Sequence, residues 1–458
     1  MPSGAARFYC MGTGDVTADP ERRATFRFAH LADLHIGAWR ERPLAEAAVQ
    51  AFRDAIERCI AEQVDFIVLA GDLFDSPLPG MDFVCATAEL LCRVRDAGIP
   101  TYVTYGSHDY SPTSSSVIDV LEAAGLFTRL PGPDRVGEGD GALLRPRFLV
   151  DAGTNAKLAG LPGRQRSLER EWYERLDHDH LEAEPGFKVF VFHSAITEVL
   201  PEHERYAESM PLARLPPGFD YYAGGHVHAR IEARSGGGRG IVAYPGPLLG
   251  YQYGDLERAA DTPRGFFIVT VDGGGVAGLE FVEVPLPPVV VYAIDAGGRT
   301  PGEVGALLDQ AVEEQDHAGA IVLLRVRGTL ASGEPHEVPF GAARAALEEQ
   351  GALCIRLSRA GLAGPREHRP VGAGGSKEEI EARVLAAHCA GYRPGTALDD
   401  PALAAELGAL LENDAGARTA RRLLEAVAIE PAEHESLRAF APRVRGRARE
   451  VLPELREG

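Results

Sequence analysis

The chain has 458 residues, which is too long for one ordinary domain, and 45% of them are hydrophobic and 25% charged, as in globular proteins. A formal net charge of −20 argues against a protein that binds duplex DNA tightly by itself, since such proteins present a basic face. The charge does not exclude an enzyme whose metal ions neutralise phosphate, or one whose partner holds the DNA. No stretch resembles a membrane span or a signal peptide, and six scattered cysteines favour free thiols in a reducing cytoplasm.

The first half of the chain alternates between strand and helix patterns. Residues 1–24 are predicted to be a disordered extension, and the alternation begins at residue 25. The predicted elements are strand 26–31, helix 44–63, strand 66–70, helix 83–97, strand 101–104 and helix 117–124. Strands that alternate with helices of this length predict parallel βαβ units.

A second set of strands follows a broken segment rich in glycine and proline. Its predicted members are short strands at 147–150 and 157–161, then strands at 189–192, 221–223, 241–244 and 265–271. Two sets of strands flanked by helices predict an α/β fold in which two sheets form a sandwich.

Proline-rich residues 285–288 divide the chain. We predict a large domain at 25–285, a small α/β cap domain at 286–359, a linker at 360–375 and a helical tail at 376–458. The cap pattern is strand 289–294, helix 301–314, strand 320–328, helix 339–350 and strand 352–357. The tail opens on a capping box that begins at Ser376.

Five polar motifs follow predicted strands. They are Asp33-Leu34-His35, Gly71-Asp72, Gly106-Ser107-His108-Asp109, the single His193, and His226-Val227-His228. Ligand sites of open α/β sheets lie beyond the carboxyl ends of the strands, so these side chains are expected to converge. Alternation along an extended Asp-x-His puts both side chains on one side, and a central carboxylate such as Asp72 is suited to bridge two ions. Three carboxylates and five histidines predict a two-metal site that activates a phosphate ester.

These motifs resemble the signature of the calcineurin-like metallophosphoesterases, which runs D-x-H, G-D, G-N-H-[DE], H and G-H-x-H. The resemblance covers roughly residues 26–285 and keeps the order of the motifs. Residues 28–37, 70–75 and 244–246, the added cap and the helical tail are similar to the SbcD-like exonucleases. In that group the nuclease works with an SMC-type coiled-coil ATPase in the repair of DNA double-strand breaks.

The resemblance implies a role for each matching residue. One metal would be held by Asp33, His35, Asp72 and His228, and the second by Asp72, His193, His226 and Ser107, which occupies the slot of the family's Asn. His108 would meet the phosphate as a general acid or charge stabiliser, and Asp109 would orient it by a hydrogen bond. Mixed Asp/His ligands suit two divalent ions, with Mn²⁺ favoured and Fe²⁺ or Zn²⁺ open.

The implied function is Mn²⁺-dependent exonuclease or endonuclease cleavage at DNA ends. Expected partners are DNA, the ATPase and a second copy of this chain in a homodimer, with no membrane. The ATPase would dock on the tail through apolar positions, namely Ile380, Val384, Leu385, Leu407 and Leu411. Two departures weaken the match: Ser107 removes an amide ligand, and Pro247 stands where the family has a serine that faces phosphate.

Two other functions remain open. One is a phosphodiesterase or phosphatase for a small nucleotide, although such an enzyme needs neither cap nor tail. The other is a non-catalytic scaffold, which Ser107 suggests and the remaining motif residues oppose.

Several other residues receive structural interpretations. Residues 177–180, Asp-His-Asp-His, have ligand-like spacing but are predicted to form a solvated loop. His30 is predicted to be a core histidine, Trp39 a packing residue, and Asp75 either a loop cap or a contact to a ligand.

Overall fold

The computed structural model describes residues 25–109, 116–137, 139, 142–164, 169–204, 208–235, 240–365, 414–429 and 437–451. The predicted extension 1–24, most of the predicted linker, and tail residues 376–413, with all five predicted docking positions, lie outside the described residues.

Strands and helices are numbered along the chain. The strands are β1 Thr25–Leu31, β2 Phe66–Ala70, β3 Thr101–Thr104, β4 Thr128–Arg129, β5 Asp134–Val136, β6 Leu143–Arg145, β7 Leu149–Val150, β8 Lys157–Leu161, β9 Lys188–His193, β10 Ala195–Ile196, β11 Ser209–Met210, β12 Tyr221–Gly225, β13 Ile231–Arg234, β14 Ile241–Tyr244, β15 Gly265–Asp272, β16 Gly275–Glu283, β17 Val289–Asp295, β18 Ile321–Thr329, β19 Cys354–Ser358 and β20 Leu362–Ala363. The helices are α1 Arg42–Ala61, α2 Met81–Asp96, α3 Val117–Ala123, α4 Arg170–Tyr173, α5 His178–Ala183, α6 Tyr253–Ala259, α7 Pro301–Glu313, α8 Phe340–Glu349, α9 Asp414–Val427 and α10 Leu437–Val451.

Two six-stranded sheets carry the large domain. The first has the order β16-β15-β1-β2-β3-β4 and the second β13-β14-β12-β9-β8-β7. Strands β1, β2 and β3 pair in parallel, as do β8, β9, β12 and β14. Their carboxyl ends therefore lie at one edge of each sheet, which is where the predicted site residues follow.

A core of aromatic and β-branched side chains joins the two sheets. Phe28 of β1 contacts Tyr221 of β12 edge to face, with ring centroids 5.3 Å apart, and Phe28 also stacks on Phe66 at 4.8 Å. On the outer face of the first sheet, α1 buries Phe52 against β2. The predicted two-sheet α/β sandwich is confirmed.

The cap pattern is confirmed as an alternation of strands and helices. Strands β17, β18 and β19 lie side by side in that order, β20 pairs with β18, and α7 and α8 fall between the strands in sequence. The chain divides into two compact units, residues 1–294, 308–326 and 341–360, and residues 295–307, 327–340 and 361–458. The domain limits inferred from the sequence remain a prediction.

Among the described helices, none combines the length and the apolar character that crossing a membrane requires.

Candidate metal centre

The backbone is unusual where the predicted ligands leave their strands. Asp33 and His35 after β1, Asp72 after β2 and His226 after β12 have φ values of 54°, 44°, 52° and 83°. Left-handed conformations of non-glycine residues cost about 1–3 kcal/mol each and persist only where the surroundings enforce them. Strain is therefore concentrated at these strand ends, as is common at functional sites.

At two positions of the motifs, neighbouring side chains lie so close to the backbone that only glycine fits. A Cβ atom on Gly106 would lie 2.1 Å from Oδ1 of Asp72, and one on Gly71, whose φ is +88°, would lie 2.2 Å from Nδ1 of His193. Neither space admits a methyl group, so glycine at these positions lets the β2 and β3 loops close around Asp72 and His193.

Three groups of metal-type donor atoms converge at this edge; two consist of buried residues only, and the third joins His35 to the partly buried Asp75 and His108. In the first, Asp33, His35 and His228 each place one donor atom within 4.8 Å of the others, and in the second Asp33, Asp72 and His193 do the same. All five residues are buried. Asp72 also lies between the groups, with Oδ2 at 3.0 Å from Nε2 of His193 and 3.7 Å from Nε2 of His35.

Two buried polar atoms of the centre, Oδ2 of Asp33 and Nε2 of His193, make no hydrogen bond among the described residues. Burial raises the pKa of Asp33. Burial works against a charged His193, but the carboxylates of Asp72 and Asp33 raise its pKa to about 10. Unpaired buried polar atoms are unfavourable, and a divalent cation would satisfy both of these atoms. The donor set therefore fits bound metal ions.

In three of the predicted metal-binding histidines, the Nδ1 atom lies close to an oxygen atom of another residue. Nδ1 of His193 donates to the carbonyl oxygen of Ala70 at 2.8 Å, and Nδ1 of His228 donates to Oδ2 of Asp255 at 3.0 Å. Nδ1 of His35 lies 3.3 Å from Oδ1 of Asp75, although these two atoms make no hydrogen bond. A partner on Nδ1 fixes the ring and leaves the Nε2 lone pair available to a metal.

His226 contacts residues of these donor groups without being a member of one. The His226 amide donates to Oδ1 of Asp33 at 2.8 Å, and its ring centroid is 5.3 Å from that of His193. Burial and then the charge of His193 lower the pKa of His226 to about 3, so the ring is neutral. Ser107 is half-buried in the turn after β3. Their roles as ligands remain predictions.

The predicted hydrogen bond from Asp109 to His108 is wrong. Oδ2 of Asp109 accepts from the backbone amides of Asp72 at 2.9 Å and Gly106 at 2.8 Å, so Asp109 joins two loops. Nδ1 of His108 instead donates to the backbone carbonyl of Asp75 at 2.7 Å. Local packing explains the difference: Asp109 is buried under the loop, whereas the His108 side chain is 32% exposed.

Sequence reasoning missed Asp255 and Tyr251 and left Asp75 undecided. The Tyr251 ring stacks on His35 with centroids 4.4 Å apart, and Asp255 holds His228. The Gln252-x-x-Asp255 capping box at the start of α6 is the one local signal that marks this segment, and it indicates a helix start rather than a site.

The remaining interpretations have mixed outcomes. His30 is buried, with Nδ1 3.0 Å from the Tyr221 hydroxyl, and Trp39 is buried and donates to the Gly250 carbonyl, so both are packing residues as predicted. The predicted loop at 177–180 is wrong, because Asp177 accepts from the His180 amide and caps helix α5.

Comparison with known proteins agrees with the geometry. Residues 26–230 match the calcineurin-like phosphoesterase family, which confirms the family resemblance.

Several curated relatives carry the name "DNA double-strand break repair protein Mre11", including proteins from Methanopyrus kandleri and Archaeoglobus fulgidus. The protein from Methanopyrus kandleri is 32% identical over 267 residues, which is 56% of this chain and 57% of the relative. The protein from Archaeoglobus fulgidus is 31% identical over 248 residues, 52% of this chain and 53% of the relative. The chain thus spans about half the length of these relatives. A solved structure, TT1561 of Thermus thermophilus, aligns at 14% identity with a TM-score of 0.37, covering 57% of this chain and all of that one.

Proposed function

We propose that this chain, whose residues 26–230 form a calcineurin-like phosphoesterase domain, is a two-metal nuclease that hydrolyses phosphodiester bonds at DNA ends in double-strand-break repair. The observation that carries the proposal is the convergence of Asp33, Asp72 and His193, and of Asp33, His35 and His228, at one buried edge of the sandwich. Similarity to the two repair proteins supports DNA as the substrate class.

The chain offers ligands for two divalent ions. Asp33, His35, Asp72 and His228 would hold one, and Asp72, His193, His226 and Ser107 would hold the other. When bound, such a pair of ions activates water as a nucleophile and neutralises charge that develops on the phosphate. Imidazole and carboxylate donors suit Mn²⁺, Fe²⁺ and Zn²⁺, of which Mn²⁺ is our choice.

His108 would act on the phosphate. Its Nδ1 proton is held by the Asp75 carbonyl, so Nε2 is the atom left to face substrate from a partly exposed ring. In the imidazolium form, Nε2–H can donate a proton to the departing 3′ oxygen or stabilise charge on the phosphate. Its backbone amide also donates to Oδ1 of Asp72 at 2.8 Å, which fixes the ring relative to the carboxylates.

The proposal also covers the partners of this chain and its location in the cell. We propose that an SMC-type coiled-coil ATPase docks on the helical tail, that the chain works as a homodimer, and that it acts in the cytoplasm. An acidic chain gains from such a partner, because phosphate neutralisation supplies much of the affinity for DNA.

The test compares Asp72→Asn with Asp179→Asn. Asp179 is exposed and belongs to the Asp-His-Asp-His segment that has ligand-like spacing without a donor group in the described structure. With Mn²⁺ and an end-labelled duplex, we expect cleavage by the wild-type protein and Asp179→Asn, and at least a hundredfold less by Asp72→Asn, about the effect of losing a catalytic group. A wild-type protein that cleaves a small chromogenic phosphodiester but no DNA would contradict the substrate class. Equal cleavage by both variants would contradict the site.

A further inference from the structure

Helix α6 connects a strand of the cap pattern to His228. At one side, Oδ2 of Asp255 accepts from Nδ1 of His228 at 3.0 Å. At the other, Arg325 of β18 pairs with Glu257 and places its guanidinium carbon 5.0 Å from the centre of the Tyr253 ring. Seven residues of helix thus carry both contacts.

The contact with His228 is rigid because Asp255 is saturated with donors. Asp255 is fully buried, and its Oδ2 also accepts from the Tyr251 amide at 3.1 Å while its Oδ1 accepts from Arg258 at 2.6 Å. A carboxylate that is held in place and accepts from Nδ1 of His228 keeps the Nε2 atom of that ring directed at the metal centre.

A buried arginine ties the same helix to the backbone of His228. Arg264 is 5% exposed and donates to the carbonyl oxygens of His228 at 3.1 Å and Asp255 at 2.7 Å. Side chain and main chain of His228 therefore both depend on where α6 lies.

The outer contact is suited to set that position. The side chains of Arg325 and Glu257 are 20% and 29% exposed, so their attraction is less screened than that of a surface pair. The guanidinium also meets the face of Tyr253, an arrangement in which a cation is attracted to the ring.

We infer that Arg325 is a positioning residue for the metal centre: it holds α6 through Glu257 and Tyr253, and α6 holds His228 through Asp255. Among the contacts that the structure describes, none joins Arg325 to a predicted ligand. The inference rests on the proposed metal site, and it assigns to the cap pattern a role in metal binding beside any role in DNA contact.

The test measures Mn²⁺ binding to the full-length protein by calorimetric titration after removal of metal. Arg325→Gln should weaken one of the two binding events by about tenfold, the lower end of the effect of residues that orient a metal ligand. Arg327→Gln is the matched control, because it removes the same charge two residues along β18 and outside the contacts with α6 that the structure describes. Arg325→Lys should recover part of the affinity, since it restores the charge but not the planar fork.

Two further measurements separate positioning from a general loss of structure. The thermal midpoint of the metal-free protein should change little in Arg325→Gln, whereas the Mn²⁺ concentration for half-maximal hydrolysis of a small phosphodiester should rise. Glu257→Gln should weaken Mn²⁺ binding in the same way, and combining it with Arg325→Gln should add little.

The outcomes distinguish this inference from the proposed function. A wild-type protein that binds no Mn²⁺ would overturn both. A wild-type protein that binds two ions and an Arg325→Gln variant that binds them equally well would overturn the role of Arg325 alone. A loss of binding in Arg325→Gln matched by Arg327→Gln would also overturn it, since the effect would then be one of charge.

Discussion

At the scale of the residue, a substitution of His108 tests phosphate chemistry separately from metal binding. His108→Ala should keep the metal content of the wild type and lower hydrolysis by about two to four orders of magnitude, the usual effect of losing a general acid. The reason is that Nδ1 of His108 donates to a backbone carbonyl, that its side chain is 32% exposed, and that the two fully buried donor groups contain no atom of His108. Metal content by mass spectrometry and turnover on a labelled duplex measure both quantities, and His180→Ala in helix α5 is the control. A variant that loses metal but stays active would contradict the assignment.

Ser107 allows the opposite experiment, in which the substitution adds a metal-ligating atom. Ser107→Asn should lower the Mn²⁺ concentration for half-maximal activity, because an amide oxygen is a better neutral donor than a hydroxyl. Titrating activity with Mn²⁺ measures the effect, and Ser76→Asn in the neighbouring loop serves as a control for added bulk. If the dependence on Mn²⁺ stays the same or becomes worse, the turn has adapted to serine and the interpretation of this departure is wrong.

The residues that the sequence revealed are those that follow a buried strand within one short motif. Asp33, His35 and Asp72 are adjacent to strands with clear patterns, so the strand-end rule was enough to bring them together. Asp255 and Tyr251 could not be found in that way, since they come from a helix start more than twenty residues after His228 and meet the site only through tertiary packing. The partner of Asp109 was missed for the same reason: sequence adjacency to His108 does not determine which way a buried carboxylate points.

At the scale of the element, the strand-end loops depend on their glycines. Gly106→Ala would place a methyl group 2.1 Å from Oδ1 of Asp72, so the carboxylate or the β3 loop must move. We expect a loss of about 1–3 kcal/mol in the free energy of unfolding, as for other overpacked sites, together with weaker Mn²⁺ binding. Denaturant unfolding and a Mn²⁺ titration test this. Gly341→Ala in α8, where a Cβ meets open space, is the control and should change neither.

The long elements were predictable because their periodicity is strong. Strands β1, β2 and β3 and helices α1 and α2 lie within a few residues of their predicted limits. The hairpin of β5 and β6, strand β16 and the short helices α4 to α6 were not predicted, since three to nine residues with mixed polarity carry no clear period. Helix α5 shows the consequence, because a capping Asp177 created a helix where polar composition had indicated a loop.

At the scale of the whole molecule, the net charge and the metal-type donor groups both fit the proposal that this chain supplies the metal site while a partner holds the DNA. A net charge of −20 opposes DNA binding by the chain alone, whereas the donor groups of the sandwich need only a short stretch of phosphate within reach. The net charge, and its consequence for DNA binding, could be predicted from the sequence directly. The division into two compact units could not, because a unit that joins residues 295–307 to 327–340 depends on contacts between segments that are distant in the sequence.

The helical tail provides the prediction for the whole molecule. Removing residues 366–458 should abolish co-purification with an SMC-type ATPase and the stimulation of DNA cleavage by ATP, because the predicted docking positions lie in this segment. Hydrolysis of a small phosphodiester with Mn²⁺ should survive, since every predicted ligand precedes residue 230.

In the full-length chain, Leu407→Asp with Leu411→Asp should also abolish ATPase binding, because it places charge on an apolar contact face. Leu78→Asp with Met81→Asp is the matched control, because these side chains are 76% and 66% exposed at the start of α2, outside the tail. Capture of the ATPase by the shortened chain would place the docking surface in the large domain or the cap instead.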